Sequence, residues 1–131
     1  MAYINKSEYN AFLGVATTLS DADFGYLSDR ASDVIDALTM YKITAAGGID
    51  SLPPFVQEQV KKAVCAQTQT LDERGGVAAV IGEAGESVTI GKFSYSKQGG
   101  GKEKTVNGLP VSPLVEGYLF PTGLLYGGIS V

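Results

Sequence analysis

The residues in this chain that could do chemistry are few. One thiol, Cys65, stands between Val64 and Ala66. Three acids, Asp29, Asp33 and Asp36, share a helical spacing. Four lysines, Lys92, Lys97, Lys102 and Lys104, surround the aromatics Phe93 and Tyr95, and histidine is absent. Without an imidazole, one chain cannot build a Ser-His-Asp triad, a Cys-His pair or a His-ligated zinc site. A lone cysteine also excludes an internal disulfide and a four-thiolate metal site.

Each group has a structural reading beside its chemical one. A reactive thiol needs an electropositive, accessible setting. Lys61 and Lys62 lie one turn from Cys65 but bring no base, so the thiol reads as a small buried hydrophobe. Asp29, Asp33 and Asp36 could attract a cation. Hard-cation sites draw their ligands from a loop or from several elements, so this group reads as a solvated helix face. Gly82-Glu83-Ala84-Gly85 and Gly99-Gly100-Gly101 lack the spacing of a phosphate loop and read as linker glycine. The lysine–aromatic cluster is able to stack single-stranded bases. The whole chain, however, carries a net charge of −4, which repels phosphate over most of its surface. Four lysines on a loop read first as a solvated tip, and a weak, non-specific phosphate contact within an assembly suits the cluster better than base readout. No catalytic residue, cofactor or metal ligand is therefore expected.

The elements that position these groups divide the chain unevenly. Its 131 residues suit one domain. Asn5 to Gly14 reads as a short helix, with Asn5 and Glu8 at capping-box spacing. Residues 20–41 form the clearest helix, capped by Ser20, with Asp21 and Asp23 at its positive end. Its apolar stripe is Phe24, Leu27, Ala31, Val34, Ile35 and Leu38. A third helix starts near Ser51, with Pro53 and Pro54 in its first turn. It continues through Val60, Ala63, Val64, Gln67 and Leu71, and Gly75-Gly76 ends it near residue 74.

Beyond Gly76 the pattern changes. Val88 and Ile90 alternate on one side and Phe93 and Tyr95 on the other, which predicts strands with a bulge or kink at Gly91 or Lys92. Residues 98–104 read as a loop tip, and Val106-Asn107-Gly108-Leu109 as a tight turn leading back. Ser112-Pro113 opens a short helix through Leu119, stopped by Pro121. The segment Leu119-Phe120-Pro121-Thr122-Gly123-Leu124-Leu125-Tyr126 is uncharged and broken by glycine. It must pack on its own domain or dock on a partner, because water would otherwise meet a contiguous apolar patch. The expected fold is mainly α. A small helical bundle over 1–76 carries a β-hairpin and flexible loop over 77–111 and an irregular docking arm over 112–131. No run of residues is long and apolar enough to span a membrane. The N-terminus shows no signal-peptide pattern, and a single cysteine fits a reducing cytoplasm.

Several runs, taken in order, resemble the head–tail connector (adaptor) proteins of tailed bacteriophages and prophages of Gram-positive hosts. They are Tyr3-Ile4 and Glu8-Tyr9, Leu19 to Phe24, Ala31 to Thr39, Val60 to Gln67, Val88 to Tyr95, and Leu119 to Gly128. The resemblance implies a non-enzymatic virion neck protein, assembled in the host cytoplasm. It would form a homo-oligomeric ring, typically of about twelve copies, beneath the portal protein. The ring would extend the DNA channel, let the genome pass without sequence-specific binding, and offer a platform to the next neck or tail-completion protein. On this chain the resemblance assigns portal docking to the C-terminal arm, through Leu119, Phe120, Leu124, Leu125 and Tyr126. The protruding hairpin, with Lys92, Phe93, Tyr95, Lys97, Lys102 and Lys104, would contact a neighbour or another ring. Asp29, Asp33 and Asp36 would line the channel, where a ring of about twelve copies carries roughly −48 charges and keeps DNA from sticking. The competing expectation is a small cytoplasmic binding or regulatory module, also without catalysis. The chain's tail is short and glycine-rich, unlike the long terminal helix of some connectors.

Overall fold

The computed structural model describes residues 3–85, 105–106 and 109–124. Six α-helices stand among them: α1 (Lys6–Leu13), α2 (Asp21–Leu38), α3 (Lys42–Ala45), α4 (Pro54–Glu73), α5 (Gly76–Gly85) and α6 (Pro113–Leu119). Two 3-10 turns, Ile49–Ser51 and Phe120–Thr122, join this set. A two-residue antiparallel ladder pairs β1 (Thr105–Val106) with β2 (Leu109–Pro110). The fold is mainly helical, as the periodicity of its first half predicts.

The helix ends follow from identifiable side chains. Asn5 and Glu8 close a full capping box at α1: the Glu8 amide donates to Asn5 Oδ1 at 2.8 Å, and the Asn5 amide donates to Glu8 Oε1 at 2.9 Å. Gly14 ends α1 in the left-handed conformation, φ 84°. Ser20 caps α2 by accepting from the Asp23 amide at 3.1 Å. Ser112 caps α6, with Pro113 at its first position.

The helix at 20–41 stops three residues early, at Leu38. Met40 donates its amide to the Ala37 carbonyl and Tyr41 to the Asp36 carbonyl. This is the hydrogen-bond pattern of a Schellman motif. Its left-handed position is occupied by Met40, φ 57°, and Tyr41 follows at φ 59°. Because no glycine marks the turn, periodicity runs on through it.

α4 is the hub, touched by α1, α2, α5, α6 and β2. Its fully buried Val60, Ala63 and Val64, with Leu71, join Leu27, Ala31, Val34 and Ile35 of α2 in one core. Val115 and Leu119 of α6 are fully buried in the same cluster.

One expectation for the second half is corrected. Residues 76–85 are helical where a hairpin region was expected to begin at 77. Val77 and Val80, one helical turn apart, turn toward the core, and Val80 is buried. The alanine-rich run Val77-Ala78-Ala79-Val80 favours helix, so Gly82 and Gly85 sit within an element and not in a linker. Gly75, at φ 116°, makes the bend from α4; a Cβ there would come within 2.6 Å of the Ala79 Cβ. For the C-terminal segment, packing on its own domain is the alternative seen over the described residues. Over 109–124 the chain is packed onto α4, with Leu109, Val111, Val115 and Leu119 all buried. The strands expected over 88–95, the kink at Gly91 or Lys92 and the loop tip at 98–104 lie outside the described residues. The pairing of Val106 with Leu109 is the register that a two-residue connection requires.

Candidate docking surface

The C-terminal segment owes its position to one side chain that sequence reasoning placed merely in an apolar stripe. Gln67 is fully buried on α4. Its Nε2 donates to the Pro110 carbonyl at 2.7 Å, and its Oε1 accepts from the Ser112 amide at 2.8 Å. The primary amide thus satisfies the backbone on both sides of Val111 and ties the entry of α6 to the hub. Apolar contacts complete the seat: the Phe12 and Tyr118 rings meet edge to face at 6.3 Å.

With Val115 and Leu119 turned inward, α6 turns Pro113, Glu116, Gly117 and Phe120 outward at i, i+3, i+4, i+7 spacing. Phe120 is 67% exposed and Leu114 is 52% exposed. One charged residue, Glu116, lies between Pro110 and Leu124. This face is the candidate docking surface. Its membership differs from the expected one. Leu119 is fully buried and serves the core, whereas the neighbouring Phe120 is exposed. Leu124 is half-buried against the core. Phe120 alone of the described candidates stands open, and Leu114, overlooked in the sequence, joins it. Leu125 and Tyr126 lie outside the described residues, as do Lys92, Phe93, Tyr95, Lys97, Lys102 and Lys104.

The three acids of α2 are engaged within the chain. Asp33 Oδ2 accepts from Arg30 Nη2 at 2.8 Å, and the Arg30 guanidinium sits 5.5 Å from the Tyr26 ring centroid. Asp36 Oδ1 accepts from the Tyr3 hydroxyl at 2.6 Å, while the Tyr3 amide donates to Ser32 Oγ. Asp29 is half-exposed and also has an interaction partner. Partial burial raises the Asp36 carboxyl above its ordinary range, with the Asp33 charge adding to the rise against the Tyr3 hydrogen bond. Burial, with Asp36 beside it, pushes the Tyr3 hydroxyl up to about 12. Asp36 therefore clasps the N-terminal segment onto α2, which sets it apart from a bare channel-lining charge.

Glu8 has a double role that capping-box spacing alone reveals only in part. Its Oε2 accepts from Lys61 Nζ at 2.8 Å, tying the cap of α1 to α4. Burial opposes its charge, but Lys61 and the Asn5 amide outweigh it and hold the carboxyl below its ordinary range. Between α1 and α4 lies an open groove of about 450 Å³, lined by Ala11, Phe12, Pro54, Gln57 and Cys65, with Glu8, Glu58, Lys61 and Lys62 around it. Cys65 is 3% exposed, and burial, reinforced by the Glu8 charge, pushes its thiol up to about 12. It is the small buried hydrophobe its neighbours suggested, inert at neutral pH.

Among the described residues no three acidic or thiol side chains converge in a way that could hold a metal ion, and no helix is long and apolar enough to cross a membrane. No family model, curated protein or solved structure matches the chain.

Proposed function

We propose that this chain is a structural subunit of a phage or prophage neck, a connector that assembles as a ring beneath the portal and extends the DNA channel toward the tail. The ordered sequence resemblance to head–tail connectors motivates the reading. The observation that carries it is the outward face of α6 and its following turn. Phe120 and Leu114 stand exposed on an almost uncharged surface whose backbone is held by a buried amide. A preorganised apolar anchor of this kind is what a docking hot spot uses, because little ordering entropy is lost on binding.

The anchor residue and the core residue beside it are separable. Phe120→Glu leaves the fold intact, within about 0.5 kcal/mol, because the side chain is exposed. It weakens co-sedimentation with portal rings by roughly tenfold or more. Leu119→Ala instead costs the fold about 2–5 kcal/mol, since its side chain is fully buried. A wild-type protein that stays a monomer or dimer and ignores portal rings returns the chain to the class of small binding or regulatory modules.

A further inference from the structure

We infer that residues 3–13 form a strap that opens as one unit ahead of the α2–α4 core and thereby uncovers Cys65. This device is independent of the connector reading. α1 is eight residues long, too short to persist as a helix in water once undocked. Undocking and unfolding of the strap are therefore a single event. Gly14, at φ 84°, supplies its hinge, and Val15, Ala16 and Thr18 beyond it are exposed.

Many of the ties that close the strap lie where water reaches them. Lys6 pairs with Asp21 at 2.8 Å, and the Asp21 side chain is 94% exposed. Glu8 pairs with Lys61 at 2.8 Å, both side chains being 35% exposed. Pairs this exposed hold weakly. Tyr3 adds its hydroxyl to Asp36 and its amide to Ser32. Ile4 and Tyr9 are the buried apolar anchors, with the Tyr9 ring centroid 5.5 Å from that of Phe24. Beneath them, α2 and α4 pack along an extensive face and α6 packs on α4. These contacts stay when the strap leaves, so its opening stops short of global unfolding. Cys65, the chain's one thiol, has its Sγ 4.0 Å from the Glu8 carbonyl oxygen, an atom of the strap. It also lines the open groove between α1 and α4. With α1 gone, the thiol faces water.

The test is labelling of Cys65 in the full chain with excess dithiodipyridine at neutral pH, without denaturant. The uncovered thiolate attacks the reagent's disulfide, forms a mixed disulfide and releases pyridinethione, whose absorbance reports the rate. Tyr3→Phe and Glu8→Gln each loosen one tie, and glutamine keeps the capping box. Each should raise the labelling rate roughly two- to fivefold. Val34→Ala, within the α2–α4 core, lowers the denaturation midpoint but should leave the labelling rate within about twofold of wild type, because opening the strap spares that core. A rate that rises in Val34→Ala in step with the loss of global stability would overturn the inference, as would one indifferent to Tyr3→Phe and Glu8→Gln. Amide exchange of the unaltered chain supplies an independent reading. After correction for intrinsic rates, α1 amides should exchange roughly tenfold faster, or more, than the central amides of α2 and α4. Equal protection contradicts the proposal.

Discussion

Gln67 shows how a single buried amide sets the position of a whole segment. Removing it leaves the Ser112 amide buried without an acceptor and the Pro110 carbonyl without its donor. Gln67→Ala should lower stability by about 2–3 kcal/mol, read as a reduced denaturation midpoint, with amide exchange rising first over 109–119. Nothing in the residue's neighbourhood along the chain announces this role. Glutamine at a stripe position of a helix reads as one more member of the stripe until the backbone it pairs with is known. Asp36 offers a second test, with a definite sign. Its carboxyl is raised in the folded protein, so its own contribution to stability declines as pH climbs from the ordinary aspartate value, about 3.9, through the raised one. Asp36→Asn keeps an acceptor for the Tyr3 hydroxyl and does not titrate. Its stability relative to wild type should therefore rise across that window, measured by chemical denaturation at closely spaced pH. Glu8 acts in the opposite sense. Its contribution is present above about 4.3 and fades as pH falls through its lowered folded value, so Glu8→Gln should flatten the acid limb of the stability profile.

Among the elements, caps made of side chains were legible and turns made without glycine were not. Asn5 with Glu8, Ser20 and Ser112-Pro113 each mark a helix start by chemistry that works locally, and these three starts stand where those residues put them. α4, expected from near Ser51, begins at Pro54 after the 3-10 turn Ile49–Ser51, with Pro53 as an N-cap that brings no side-chain hydrogen bond. The end of α2 is different. Its Schellman turn places Met40 in a conformation that costs a side-chain-bearing residue about 1–2 kcal/mol, and only the surrounding fold holds it there. Met40→Gly should therefore raise stability by about 1 kcal/mol, since the methionine is 59% exposed and gives up little packing. A fall in melting temperature would show that Met40 makes contacts outweighing its backbone strain. α5 was missed for a related reason. Glycines at 75, 76, 82 and 85 argue locally for a linker, and tertiary burial of Val77 and Val80 overrides them. The candidate site was partly legible. The apolar tail stood out by composition, but which of its residues face inward depends on where α6 meets α4. That contact lies more than forty residues away in sequence, at Gln67.

At the scale of the molecule, a helical body built on α4 carries an outward C-terminal face with Phe120 and Leu114 exposed. On the connector proposal, the net charge of −4 would let repeated copies surround DNA without binding it. The acids that could supply that field are tied into the fold at Asp33 and Asp36, so the charge of a ring would be expressed collectively and not through a dedicated row of free carboxylates. Electron microscopy of the purified chain mixed with candidate portal rings tests the central claim most directly. The account predicts a ring of added density on one end of the portal, with the portal's rotational symmetry and with α6 and Phe120 at the contact. Portal particles with no added density, alongside protein that remains monomeric or dimeric, would contradict it.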